Sequence, residues 1–208
     1  MNAFPSSFFY EVVTLYVVLD PVAAIPIFLA ATRGLDTKDR LKVAFYGVAV
    51  AFVIFLFFIA IGHQLLDALH IPMASFQLAG SIVLMLFGLQ MAMGHLPEPS
   101  TQNEDQHSLL QRAIFPLATP CIAGSGSIMT VMMLADNTSR TLAAKLHTVF
   151  VLGLCLSILF TILACGGLIA RVLGRSGIEV ISRVFGLILT SIAITNAIVA
   201  IKISFGLS

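Results

Sequence analysis

Six apolar stretches, each close to the length of a membrane-spanning helix, follow one another along the chain. A helix needs about 20 residues to cross the hydrocarbon of a bilayer. The stretches cover residues 8–31, 43–66, 74–94, 113–135, 146–170 and 180–203. None shows the alternation over about ten residues that is typical of membrane β-strands, so helices are the way to satisfy the backbone in lipid. The pattern predicts an all-α membrane protein with six transmembrane helices.

Composition supports this fold class and excludes several functions. Hydrophobic residues make up 59% of the 208 and charged residues 10%, whereas about a quarter of an ordinary soluble domain is charged. The net charge of +1 and the absence of a basic cluster indicate no nucleic-acid partner. The three cysteines lie in apolar segments without CxxC spacing, which predicts neither a disulfide framework nor a metal site. We therefore expect the lipid bilayer as the surroundings, and no cofactor.

The lysine and arginine residues predict an orientation. One face of the six-span arrangement carries eight of them: Arg33, Lys38, Arg40, Lys42, Arg112, Arg171, Arg175 and Arg183. The other face carries three: Arg140, Lys145 and Lys202. Because cytoplasmic loops are richer in these residues, the first face is predicted to be cytoplasmic and both termini to lie outside. The polar segment 95–112 is predicted to be a cytoplasmic linker.

This linker separates two halves, residues 1–94 and 113–208, that resemble each other. A shift of 99 positions (119 − 20) places Asp20-Pro21 on Thr119-Pro120, and a shift of 106 (196 − 90) places Gln90 on Asn196. Each half has three spans, so the second must enter the membrane from the opposite side. The chain is predicted to be an inverted repeat of three plus three spans, an arrangement common in secondary transporters.

The first span of each half contains a helix-breaking pattern. Proline is accepted at the first position of a helix, and Asp or Thr before it can act as N-cap. Spans 1 and 4 are therefore predicted to be discontinuous, with half-helices that begin near these prolines and present open amides to a cavity. The small residues after the second break allow a ligand close to the backbone. The predicted substrate site comprises Asp20, Pro21, Pro26, Gln90, Thr119, Pro120, Gly124, Ser125, Gly126 and Asn196.

Each of these assignments has a simpler alternative. Asp20 could be only an N-cap, although a carboxylate at depth usually lines a functional interior. Gln90 and Asn196 could hydrogen-bond between helices without touching a ligand. The segment AGSG at 123–126 is close to the GxSG of intramembrane serine proteases, with His147 as the one histidine that could act as base. The alternative for His147 is an interfacial histidine, and Glu11 is also interpreted as interfacial.

Four segments carry a family resemblance: DPVAAIPIF in span 1, LAGSIVLMLFGLQM in span 3, PLATPCIAGSGSIMT in span 4 and RVFGLILTSIAITNAI in span 6. They look like the MarC family of bacterial and archaeal membrane proteins. The resemblance implies the plasma (inner) membrane, a topology similar to LysE-type exporters, and transport of small neutral amino acids such as glycine and alanine. Ala23-Ala24 replace the Gly-Asn of many members, and Ser125 replaces the proline of their GPG turn.

Together, the residues and the resemblance predict a secondary transporter of small neutral amino acids, and no enzyme. In this hypothesis the carboxylate group of the substrate binds the amides of residues 119–126, and the ammonium group of the substrate binds Asp20. Asp20 could instead carry a coupling proton. The alternatives are an exporter of other small metabolites or drugs, an intramembrane enzyme and a membrane regulator that transports nothing. The sequence makes no prediction of oligomeric state.

Overall fold

A computed structural model of the chain describes residues 4–94, 106–137 and 142–206, and within these ranges it contains helices and no strand. The helices are α1 (Phe4–Leu19), α2 (Pro21–Ala31), α3 (Thr37–Ala68), α4 (Met73–Met93), α5 (Gln106–Arg112), a π-helical segment (Ala113–Ile122), α6 (Ser125–Asn137) and α7 (Leu142–Phe205). The predicted all-α fold class is confirmed.

Several of these helices can span a membrane by length and composition. Four segments do so alone: α3, α4, and two parts of α7, Lys145–Gly166 and Glu179–Phe205. Two further spans result if each bent pair counts as one: α1 with α2, bent by 44°, and the segment Leu109–Ile122 with α6, bent by 62°. The described residues therefore hold four to six candidate spans, and the inverted three-plus-three repeat stays a prediction.

Contacts between helices define two ends of the bundle. The ring of Phe58, late in α3, lies 5.7 Å from that of Phe76, early in α4. Lys145 Nζ donates to the backbone oxygen of Ile59 at 3.4 Å, and the ring of Phe160 packs edge-on against Phe45 near the start of α3. The first part of α7 therefore runs antiparallel to α3. We call the end where α3 begins the Arg33 end, and the other the His147 end.

The core lies along one face of α3. From Ala44 onward its buried residues are spaced three or four apart, as expected for one face of a helix, and Val43 is buried beside Ala44: Val43, Ala44, Gly47, Ala51, Phe55, Ile59, Gly62 and Leu66. They belong to a cluster with buried residues of α1, α2, the π-helical segment, α6 and α7. Asp36 is the N-cap of α3, and its side chain accepts a hydrogen bond from Asp39 N at 2.9 Å. The remaining faces of α3 carry exposed apolar side chains, as a lipid-facing helix requires.

Helices α4 and α7 pack closely against each other across the two halves. A Cβ atom on Gly88 would lie 3.0 Å from the backbone oxygen of Gly186 and 2.9 Å from Thr190 N, and one on Gly186 would lie 2.8 Å from Gly88 O. Only glycine permits this approach, as at small-residue interfaces between membrane helices. The two helices are therefore in contact backbone to backbone.

The predicted linker and charge distribution are only partly described. Residues 95–105 of the linker, and Arg140, lie outside the described ranges, whereas Gln106–Arg112 forms α5. Arg112 Nη1 donates to the backbone oxygens of Ala31 and Arg33, both at 3.4 Å. Arg33 lies 3.8 Å from Glu179, which also binds Arg183 at 2.9 Å. Arg33, Arg112 and Arg183, all predicted to lie on one face, are thus at one end of the bundle.

Candidate functional site

The first break lies at Asp20, between α1 and α2. Asp20 is the N-cap of α2 and Pro21 is its first residue, as the sequence predicted. The Asp20 backbone is left-handed (φ 42°, ψ 70°), a conformation that non-glycine residues rarely adopt and that Asp and Asn tolerate best. Asp20 Oδ1 accepts a hydrogen bond from Ala23 N at 3.1 Å. Strain of this kind is concentrated at functional sites.

The second break has a different construction. Phe115 and Thr119, the residues before Pro116 and Pro120, have extended backbones (φ −129°, ψ 124° and φ −127°, ψ 128°) inside the π-helical segment. The residue before a proline is sterically disfavoured in the helical region, so two such residues interrupt the segment twice. The new helix, α6, begins only at Ser125.

The predicted role of Thr119 as a helix cap is therefore wrong, although the predicted discontinuity in span 4 is present. The half-helix begins six positions after Thr119, beyond Pro120. The Thr119 hydroxyl instead donates to the backbone oxygen of Ile114 at 3.0 Å. The turn before α6 is held by Ser127, whose Oγ lies 2.7 Å from Ile122 O and 2.9 Å from Gly124 O.

The first turn of α6 offers open hydrogen-bond donors. Among the residues that the structure describes, no side chain caps the amides of Ser125, Gly126 and Ser127, whereas Asp20 caps α2 and Asp36 caps α3. The first amides of a helix lack intrahelical partners and carry the positive end of its dipole. This turn can therefore bind an anionic group.

A cavity of about 450 Å³ brings the two breaks together. Its described lining comes from α1, α2, α4, the π-helical segment, α6 and α7, and Asp20 is the one charged residue among these lining residues. No aromatic side chain occurs in the same described lining. The cavity thus combines one carboxylate, the small residues of the α6 turn and an apolar wall.

A second cavity of about 210 Å³ is also lined by Asp20. It shares Asp20, Ala23, Leu189 and Ile192 with the larger cavity and is otherwise lined by apolar side chains, including Phe185. Asp20 therefore lies where two cavities adjoin. Within the described residues, no group of three or more His, Cys, Asp or Glu side chains could hold a metal ion.

The structure brings together six of the ten predicted site residues. The larger cavity is lined by Asp20, Pro120, Gly124, Ser125, Gly126 and Asn196. Its described lining does not include Pro21, Pro26, Thr119 or Gln90. Pro21 and Pro26 are buried in α2, and Gln90 is exposed on α4, so Gln90 and Asn196 do not play matching roles. A substrate role for any of the ten stays a prediction.

Gln77 on α4 is a cavity residue that the sequence analysis missed. Its Oε1 is buried and accepts no hydrogen bond from the described residues, and a buried amide oxygen of this kind favours a donor. Its backbone oxygen accepts from Ser81 Oγ at 2.7 Å and from Ser125 Oγ at 3.3 Å. The polar and small residues Gln77, Gly80 and Ser81 recur at helical spacing, a signal that could have indicated a cavity-facing stripe.

Ser125 and His147, the pair considered for a serine protease, have different partners. Ser125 packs against Gly80 and Gln77. His147 Nδ1 lies 3.2 Å from Glu11 Oε2, and its ring meets that of Phe8 edge-on. Glu11 is 3% exposed, so its carboxylate is buried against other helices, and its interfacial position in the membrane stays a prediction. Helix α7 covers a carboxylate that the sequence places near the end of a span.

Comparisons with known proteins match almost the whole chain. The model of the MarC family integral membrane proteins matches residues 5–205. A UPF0056 membrane protein of Pyrococcus abyssi is 35% identical over 195 residues, 94% of each chain. One of Methanocaldococcus jannaschii is 32% identical over 91% of this chain and 93% of its own. The UPF0056 inner membrane protein YhgN of Escherichia coli is 28% identical over 87% and 89%, respectively.

No solved structure matches the chain. The family model covers almost the whole chain, the two archaeal relatives named above are each more than 30% identical over more than nine-tenths of both chains, and the apolar helices are those of an integral membrane protein. The chain belongs to the MarC family of integral membrane proteins.

Proposed function

We propose that this chain is a secondary transporter of small neutral amino acids, such as glycine and alanine, that works by alternating access between its two halves. One observation carries the proposal: the Asp20 carboxylate and the uncapped first turn of α6 line the same cavity. A negatively charged hydrogen-bond acceptor and a set of open donors match the two charged groups of a zwitterion.

The ammonium group of the substrate would bind Asp20. Asp20 already accepts one hydrogen bond, from Ala23 N, and an ionised carboxylate has further acceptor sites. A carboxylate in a membrane interior is costly unless paired, and a substrate ammonium supplies that pair. The buried Oε1 of Gln77 offers an additional acceptor in the same cavity.

The carboxylate of the substrate would bind at the start of α6. The amides of Ser125, Gly126 and Ser127 are uncapped by side chains within the described part of the chain, and helix N-termini favour carboxylates. A Cβ atom on Gly126 would meet nothing within 4 Å, so the space next to this backbone is open to a ligand. Half-helix N-termini that bind substrate carboxylates are a known transporter arrangement.

The experiment is uptake of labelled alanine and glycine into proteoliposomes that contain the purified protein. Asp20→Asn keeps a cap and the left-handed preference but removes the charge. Loss of one partner of a buried charge pair costs about 2–5 kcal/mol, so uptake should fall roughly 30-fold or more. The matched control is Asp36→Asn, the same change at the N-cap of α3. Wild-type uptake by Asp20→Asn would contradict the proposal.

The size of the cavity supports a second candidate function, the export of larger metabolites or drugs. A volume of about 450 Å³ falls within the range of about 300–1,000 Å³ for drug-sized ligands. The lining has no aromatic side chain among the described residues and includes the polar residues Gln77, Thr130 and Asn196, which favours the smaller substrate. A thermal-shift screen distinguishes the two: stabilisation by small neutral amino acids supports the first candidate, and stabilisation only by larger apolar compounds supports the second.

A further inference from the structure

Two acid–base pairs join the two halves of the chain at opposite ends of the bundle. At the Arg33 end, Arg33 Nη2 lies 3.8 Å from Glu179 Oε2, and the side chains are 49% and 43% exposed. At the His147 end, His147 Nδ1 lies 3.2 Å from Glu11 Oε2, with side-chain exposures of 30% and 4%. The first pair is half-exposed, whereas the second joins a buried carboxylate to a histidine.

The surroundings of Glu11 leave its carboxylate poorly satisfied. The contact with His147 is within ion-pair distance but is not aligned as a hydrogen bond, and Glu11 Oε2 has no hydrogen-bond partner among the described residues. The neighbouring Thr148 Oγ1 is also buried without a described partner. The ring of Phe8 covers the imidazole, with centroids 5.9 Å apart. An unpaired carboxylate in such a place is strongly disfavoured.

This burial limits the charge that the pair can carry. A carboxylate beside a neutral imidazole has a net charge of −1, which the buried site disfavours. One additional proton, on either the imidazole or the carboxyl group, makes the pair neutral overall. If α1 and α7 separate and water enters, the charge of −1 becomes acceptable, and the proton can pass from the pair to water.

We propose that Glu11 and His147 form a proton-binding site that holds α1 against α7 and releases its proton when the His147 end opens. This inference rests on the proposed transporter function, because opening at one end is a step of alternating access. The pair then couples proton movement to substrate movement and leaves Asp20 to the substrate ammonium.

Other titratable groups surround this site. Lys145 on α7 and His63 on α3 line a separate cavity of about 20 Å³, and Lys145 Nζ donates to Ile59 O. On α6, Asp136 belongs to the last turn, at the same end of the bundle. On α1, Tyr10 and Tyr16 are exposed. Among the described residues, His147 is the base within ion-pair distance of Glu11.

The first experiment separates coupling from substrate movement in proteoliposomes. Alanine–alanine counterflow at equal pH needs no proton movement, whereas accumulation driven by a pH gradient does. With one proton per substrate, a gradient of about one pH unit supports up to about tenfold accumulation. In Glu11→Gln and His147→Gln we expect counterflow within about threefold of wild type, and an accumulation ratio of about one.

His63→Gln, which removes the neighbouring imidazole, is the control and should accumulate alanine as the wild type does. Accumulation by both variants at the wild-type ratio would overturn the proposal. A parallel loss of counterflow and accumulation, also in the double variant Glu11→Gln/His147→Gln, would mean that the pair is only structural.

A second measurement does not depend on any substrate. The variant His147→Gln lacks one titratable member of the pair, so its unfolding midpoint should depend on pH differently from that of the wild type. Superimposable profiles of the two proteins would overturn the site. An absence of alanine flux in the wild type would contradict the proposed function alone, because the pH profile still tests the pair.

Discussion

The two broken spans of this protein interrupt a helix in opposite ways. At Asp20 the interruption is one residue long, the backbone is left-handed, and the carboxylate caps the helix that it begins. Between Thr119 and Ser125 the interruption is longer, the backbone is extended at Thr119, and no side chain among the described residues caps α6. One break therefore contributes an acceptor and the other contributes donors.

Corresponding positions in two similar halves therefore need not have the same chemistry. Both breaks line the same cavity, so a ligand there would meet both at once. Two carboxylate caps would repel an anionic group, and two open turns would not neutralise a cation. Two unequal breaks therefore suit a ligand that carries a positive group at one end and a negative group at the other.

The largest effect is expected from Gly126→Val. Space is open around Gly126, so the valine should fold into place but fill the cavity beside the α6 amides. Because small misplacements of bound groups can cost about 100-fold in rate, we expect a loss of alanine uptake of about that size. Gly124→Val is less informative, since a Cβ there would lie 2.7 Å from Pro120 O and affect folding.

Gly153→Val is the control for this prediction. Gly153 lies in α7, and a Cβ on it would also meet nothing within 4 Å, so the control adds the same β-branched side chain to a helix without filling either cavity. Undiminished uptake in Gly126→Val, at wild-type protein levels, would show that the open turn of α6 is not part of the site.

A smaller effect, on stability, is expected from Gly80→Ala. A Cβ atom on Gly80 would collide with the side chain of Ser125, which fixes the start of α6 against α4. Overpacking of this kind costs about 1–3 kcal/mol, or roughly 2–4 °C in the unfolding midpoint for each kcal/mol in a chain of this size. Thermal unfolding of the purified protein measures it. The double variant Gly80→Ala/Ser125→Gly should recover most of the loss, and equal midpoints for single and double variants would argue against the contact.

The smallest effect is expected from Thr119→Val. Because the Thr119 hydroxyl donates to Ile114 O and does not cap α6, the variant loses one hydrogen bond, worth about 1 kcal/mol. Alanine uptake should stay within about threefold of wild type, in contrast to Asp20→Asn. A loss of uptake as large as that of Asp20→Asn would mean that this hydroxyl binds the ligand.

The sequence was sufficient for the first break and only partly sufficient for the second. At Asp20-Pro21, the N-cap and the proline preferences act on adjacent residues and agree. In span 4, two prolines each force the preceding residue out of the helical region, so the new helix starts only at Ser125. The dipeptide Thr119-Pro120 alone could not indicate that the helix starts several residues later.

Tertiary contacts account for the other differences. Gln90 and Asn196 occupy corresponding positions in sequence, but α4 turns Gln90 outward while Asn196 lines the cavity. The burial of Glu11 depends on α7, which is more than 130 residues away (147 − 11 = 136). No local pattern encodes such packing, so a single sequence predicts the breaks better than it predicts the cavity around them.

The contact between Gly88 and Gly186 limits how the halves can move. Their backbones are in contact without side chains between them. Sliding or separation of α4 and α7 would therefore disrupt this close packing. Motion of one half against the other would then be a rotation about this line. The pairs Arg33–Glu179 and Glu11–His147 lie toward opposite ends of the bundle. A rotation about this line would therefore close one end of the bundle while it opens the other.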